Sequence, residues 1–212
     1  MIFNKLDLEN WERRDVFNHF TTIAKSSYSL TVNIDVTKLL SYIKRNNLRF
    51  YPTFTWIVTK AINNQLEFKM GFDEKKNLGY YDVIYPAYAV FNEKTKIADS
   101  LCTEYTDDFN AFYNKMISDM DSFEKFGIRS NRHPNTFIVS CVPWLSYSSF
   151  TTNNESDNMF LFPMVVWGKY FEQGDKILMP LTLQIHHAVA DGYHCSLFYK
   201  DIEDIINTLE MY

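Results

Sequence analysis

The chain has 212 residues, 46% hydrophobic and 17% aromatic, enough apolar material for one core in a single domain spanning 1–212. Its net charge of -5 comes without a long basic run, which argues against nucleic acid as a partner, because phosphate binding relies on clustered Lys and Arg. The longest mainly apolar run, 159–167, is too short to cross a bilayer, and charged residues sit near the start where a signal peptide needs an apolar block, so an unprocessed cytoplasmic protein is expected. Cys102, Cys141 and Cys195 are odd in number, far apart and without CxxC spacing; they predict neither a disulfide framework nor a thiolate metal site.

In chain order, Tyr28, Leu30, Val32 and Ile34 alternate as in a half-buried strand, and Val36, Leu39, Leu40 and Ile43 then switch to helical spacing. Pro52 at a first helical position precedes Phe54, Ile57, Val58, Ala61 and Ile62, a 3.6-period face. Phe109, Phe112, Tyr113, Met116, Met120 and Phe123 form another, ended by Gly127. Strands are expected at 83–91, 136–142, 159–171 and 176–187, with a hairpin turn at 172–175 around Gly174. After Gly192 a last helix puts Leu197, Phe198, Ile202, Ile205, Ile206 and Leu209 on one face. Hairpins mixed with separate helices predict an α/β fold of the α+β type, a two-layer sandwich of helices on a mixed, largely antiparallel sheet.

The segment 184–194 holds three of the five histidines, His186, His187 and His194, together with Asp191. Along a strand His187 shares a face with Ile185 and Leu183, while His186 shares the other with Gln184 and Thr182. An imidazole at the end of an apolar face is partly desolvated, which favours its neutral form and leaves a nitrogen able to accept a proton. That suits a general base. The same residues also fit a core histidine bonded to a carbonyl, with Asp191 capping the next helix, or a weak metal site of His187, Asp191 and His194.

A second candidate is Ser140, which could donate a hydrogen bond to a developing oxyanion; its neighbour Cys141 could instead be a nucleophile paired with His187 and Asp191. On a strand the two face opposite sides, so only one can point towards His187. Spacing does not choose between them.

The run Gln184-Ile185-His186-His187-Ala188-Val189-Ala190-Asp191-Gly192-Tyr193-His194 resembles the signature of the chloramphenicol acetyltransferases, with Ala190 where cysteine is common. The likeness extends through Trp11-Glu12-Arg13-Arg14, Phe50-Tyr51-Pro52, Ser140 with Pro143-Trp144, and Gly168-Lys169-Tyr170. It implies the CoA-dependent acyltransferase fold, a homotrimer with active sites at subunit interfaces, acetyl-CoA as co-substrate, no metal, and antibiotic resistance by acetylation of chloramphenicol. His187 would be the base that deprotonates a primary hydroxyl for direct attack on the thioester. Ser140 would steady the oxyanion, and Asp191 would pair with Arg13 to hold the histidine loop. Tyr51, Trp144, Lys169 and Tyr170 would lie by the CoA tunnel.

The resemblance places the acceptor among Phe20, Ser26, Tyr28, Ala98, Ser100, Phe150, Thr152 and Asn154. Several of these positions are usually apolar or thiol-bearing, and one that usually holds a hydroxyl reads Val166. Losing a large ring at Ala98 and gaining polar groups at Thr152 and Asn154 would weaken the grip on an aromatic acceptor by about 1 to 3 kcal/mol. Three alternatives follow: the same chemistry on another hydroxylated acceptor, a Cys141 acyl-enzyme, or a non-catalytic protein that keeps the fold.

Overall fold

The computed structural model describes residues 1–131, 133–153 and 159–211; Asn154 lies outside them. The chain forms β1 (Phe3–Lys5), α1 (Arg14–Asn18), a π-helical turn (His19–Ile23), β2 (Ser27–Asp35), α2 (Thr37–Arg45), α3 (Phe50–Asn63), β3 (Met70–Phe72), β4 (Leu78–Tyr81), β5 (Tyr85–Asn92) and β6 (Ile97–Cys102). There follow α4 (Phe109–Phe126), β7 (Thr136–Val142), β8 (Met164–Gly168), β9 (Phe171–Gln173), β10 (Lys176–His186) and α5 (Gly192–Asn207). A small antiparallel sheet has the order β1-β4-β3, and a larger one the order β2-β10-β8-β7-β5-β6, with β9 on β10. In the larger sheet β7 pairs in parallel with β5 and β8, and the other pairs are antiparallel, which makes the sheet mixed.

One face of the large sheet carries the core. Met179, Leu181, Leu183 and Ile185 of β10 and Phe137 and Val139 of β7 meet Phe54, Ile57 and Ile62 of α3 and Phe198 and Ile202 of α5, all fully or almost fully buried. The opposite face carries Thr182 and Gln184 of β10, Ile138 and Ser140 of β7, and Val166 of β8. Helices on one side and loops on the other make two layers. Among the described residues no helix is long and apolar enough to cross a membrane.

Helix α3 begins at Phe50, two residues before the Pro52 start expected from sequence. Pro52 still falls in the first turn, where a missing N–H costs no intrahelical bond. The buried hydroxyls of Thr53, Thr55 and Thr59 donate to carbonyls one turn back, at 2.9, 2.7 and 2.7 Å, so they need no tertiary partner. Gly127, at φ 67°, ends α4 as the spacing predicted.

The expected strand at 159–171 divides into an irregular stretch, β8 and β9. Pro163 lacks the N–H that a central ladder needs, so pairing starts only at Met164. The turn Gly174-Asp175 joins Gln173 to Lys176 with Gly174 at φ 64°, as expected of a two-residue hairpin.

Residues 143–153 return over the open face of the sheet. Tyr147 donates to the Val166 carbonyl at 2.8 Å, and the Lys169 amide donates to Leu145 O at 2.7 Å. A Cβ on Gly168 would lie 2.8 Å from that same Leu145 oxygen and 2.9 Å from Tyr147 and Pro180, so the return needs a glycine there.

Candidate active site

Strand β10 ends at His186, and the chain turns away from the sheet before α5. The turn is held from both sides: His187 N–H donates to Ser26 O at 2.9 Å, and Ala188, Val189 and Ala190 are completely buried. Leaving the sheet orphans the carbonyls of the turn, and these must find donors. Arg13 supplies them, with Nη2 to His187 O and Nε to Ala188 O, both at 3.1 Å. The same guanidinium grips Asp191, at 2.5 Å to Oδ2 and 2.7 Å to Oδ1. A planar fork of donors matches this set as a lysine could not. Arg13 also holds the Asp191 carboxyl below the usual carboxylate range. Asp191 stands at the N-cap of α5, where its carboxylate, bound by Arg13, also faces the His194 amide in a capping box.

The imidazole of His187 is clamped by two rings. Phe20 stacks on its face, centroids 3.9 Å apart and 13° from parallel, and Tyr28 meets it edge-on at 5.0 Å. Phe20 is aimed there by the π-helical turn, where Thr21 and Thr22 donate back to Phe17 O and Asn18 O at 2.8 and 2.6 Å. Tyr28 is fixed through its hydroxyl, which donates to Ala190 O at 3.1 Å and lies 3.3 Å from Cys195 Sγ. Burial, and next the bond to Cys195, push the Tyr28 phenol up, so it stays a donor.

His187 Nδ1 is buried and lies 3.2 Å from Asp191 Oδ1, out of line for a hydrogen bond, yet the side chain as a whole is 34% exposed. The accessible edge is therefore the one bearing Nε2. A carboxylate beside Nδ1 favours the tautomer with its proton there, and that leaves the Nε2 lone pair facing out.

His186 points the other way, as alternation requires. Its Nδ1 accepts from Ala188 N–H at 3.2 Å, and burial first, then His187, favours its neutral form. It lines a cavity of about 650 Å³ on the open side of the sheet, together with Lys25, Ser26, Thr152 and Gln184. Among the described residues no group of three or more His, Cys, Asp or Glu is placed to hold a metal ion.

The remaining predicted residues lie elsewhere. Ser140 is opposite Val166, and Val166 is opposite Thr182, five residues before His187 on β10. At ~3.3 Å per residue and ~4.8 Å per strand, Ser140 and His187 of one chain are ~19 Å apart. The separation follows from strand direction, because β8 runs parallel to β7 and antiparallel to β10. Trp144, Lys169 and Tyr170 therefore gather beyond the ends of β7 and β8, away from His187. Trp144 and Tyr170 are 59% and 47% exposed, set against Phe91 and Phe50. Tyr51 packs by Trp167, and its hydroxyl donates to Ala89 O at 2.8 Å.

Ala98 and Ser100 lie on β6, on the Ser140 side, paired with Phe91 and Ala89. Phe150 leans on Tyr147, centroids 5.8 Å apart. Thr152 is tied to Gln184, whose Oε1 accepts from the Thr152 amide at 3.0 Å and whose Nε2 donates to Thr152 O at 2.9 Å. Its hydroxyl also donates to Gln184, at 3.2 Å, so it is already spent within the chain. Cys141 packs against the core face, opposite to Ser140, and burial pushes its thiol up to about 11.

Sequence reasoning did not single out Gln184 as the anchor of residues 151–153, nor Glu67, which lies 3.5 Å from His194 Nε2. Both are long-range partners, and only the run of polar residues on one face of β10 hinted at the first.

A family model described as chloramphenicol acetyltransferase matches residues 1–203. A chloramphenicol acetyltransferase of Clostridium butyricum is 38% identical over 97% of this chain and 95% of its own length. One from Clostridium perfringens is likewise 38% identical, over 99% and 97%. Among solved structures, a chloramphenicol acetyltransferase superposes with a TM-score of 0.86 at 25% identity, covering 97% of this chain and 100% of that one.

Proposed function

Because the chain belongs to the chloramphenicol acetyltransferase family, we propose that it moves the acetyl group of acetyl-CoA to a primary hydroxyl of chloramphenicol, with His187 as general base. The observation that carries this reading is the clamped imidazole, with Nδ1 beside Asp191 and the Nε2 edge accessible. The acceptor's proton passes to Nε2 as its oxygen bonds to the acyl carbon. The carbon–sulfur bond then breaks, and the proton leaves with the CoA thiol. Ser140, as a donor to the oxyanion, would lower the same barrier.

Exposed Trp144 and Tyr170 beside Lys169 suit a ligand that carries both an aromatic base and phosphates. That end of the sheet would take acetyl-CoA. The ~19 Å between Ser140 and His187 supports a site built across two copies, since one chain cannot bring both to the same reacting atom. A homotrimer with three such interfaces is the assembly we favour.

The test is acetyl transfer from acetyl-CoA to chloramphenicol, followed by thiol release. The expected result is turnover that falls about 10² to 10⁴-fold in His187→Ala. Full activity in that variant overturns the base assignment. Background rates in the wild type with chloramphenicol, but turnover with another primary alcohol, leave the chemistry standing and replace the acceptor, the outcome that small, exposed Ala98 and Ser100 would favour.

A further inference from the structure

The first turn of α5 has N–H groups that need partners, and Asp191 at its N-cap shares its carboxylate between Arg13 and the His194 amide of a capping box. His194 completes the box. Its side chain folds back so that Nδ1 accepts the Asp191 amide at 3.0 Å, taking the place that Glu or Gln holds in a capping box.

An imidazole nitrogen accepts only when it carries no proton, so this bond requires the His194 proton on Nε2. Nε2 lies 3.5 Å from Glu67 Oε1, and both side chains are largely withdrawn from solvent. A carboxylate there stabilises the Nε2–H tautomer over its alternative. Glu67 opens the short helical turn Glu67–Lys69 after α3, and that turn is locked to α5 by fully buried Phe68, whose ring meets Phe198 at 6.1 Å.

We infer that Glu67 and His194 are a positioning pair: Glu67 selects the tautomer with which His194 holds the Asp191 amide, and so the loop that presents His187. The pair touches no reacting atom. It acts through Asp191, which Arg13 and the loop carbonyls tie to His187. The inference rests on the reading of His187 as the base, since only then does loop placement bear on rate.

The experiment has two arms on the intact protein. Long-range ¹⁵N–¹H spectra of histidine-labelled protein, with the His194 signals assigned by their loss in His194→Gln, are expected to show Nδ1 bare and Nε2 protonated. A proton on Nδ1 overturns the inference. In kinetics, Glu67→Ala is expected to lower kcat on the order of tenfold, with KM for both substrates nearly unchanged. His194→Gln keeps an acceptor for the Asp191 amide without needing a tautomer, so it should retain most of the wild-type kcat.

Adding Glu67→Ala to His194→Gln should then cost nothing further. An equal loss in both backgrounds shows that Glu67 acts by another route and defeats the pair. The spectrum is read without turnover, so a chain inactive in acetyl transfer sinks the functional reading while the tautomer still decides on the pair.

Discussion

Phe20 and His187 lie face to face, 3.9 Å between ring centroids and 13° from parallel. The stack limits rotation about the His187 side-chain bonds without touching either nitrogen. Phe20, which the resemblance puts in the acceptor pocket, also braces the ring of His187. Phe20→Ala should therefore lower kcat, by about ten- to a hundredfold, since small misplacement of a catalytic group is costly. Phe20→Tyr should keep most of the activity. A rise in KM for the acceptor with kcat unchanged would return Phe20 to the acceptor pocket alone.

Arg13 and Asp191 hold the turn after β10, and their bond depends on pH in a direction that can be worked out. Arg13 keeps the Asp191 carboxyl below its usual range, so the pair's stabilisation is complete above that range and is lost as pH falls through the lowered value. Urea midpoints of the wild type and Asp191→Asn should differ by a constant amount at neutral pH and converge in acid. Asp191 is partly solvated, so Arg13→Ala should cost only about 1 to 3 kcal/mol of stability. Midpoints that stay apart after the Asp191 carboxyl has been fully protonated would mean the asparagine variant is weakened for some other reason.

Cys141 separates the direct mechanism from a covalent one. Its thiol faces the core side of β7 and burial raises it to about 11, so almost no thiolate exists at neutral pH. Cys141→Ala should keep kcat within about threefold of wild type, and initial rates should intersect as for a ternary complex. Parallel double-reciprocal lines, or loss of activity in that variant, would revive the acyl-enzyme.

The distance between Ser140 and His187 makes a prediction about mixing. Each single variant, Ser140→Ala and His187→Ala, should be strongly impaired when all protomers carry it. Co-assembled, the two should regain activity, because some interfaces then pair an intact Ser140 with an intact His187 from a neighbouring copy. Mixtures no more active than their components would show that both residues serve one site within one chain.

Much of the architecture is legible in the order of residues. Alternation in β2 and β10, the 3.6-period faces of α3, α4 and α5, and the glycines that end α4 and turn β9 into β10 all act over a few residues, where local sterics and hydrogen bonding decide. Pro163 is equally local, and its missing N–H is why the expected strand starts late, at Met164. The opposite aim of His186 and His187 also follows from strand alternation alone.

What the order of residues left open is every relation between distant segments. The Arg13–Asp191 pair came from the family resemblance alone, and whether Phe20 lies on His187 and whether Glu67 meets His194 depend on how helices and strands pack, because each contact joins groups far apart along the chain. The division of the candidate site is of the same kind. Spacing alone does not say how far apart Ser140 and His187 lie, and it is the antiparallel run of β10 against β8 that carries them to opposite ends of the sheet, in keeping with the interface site that the resemblance implies.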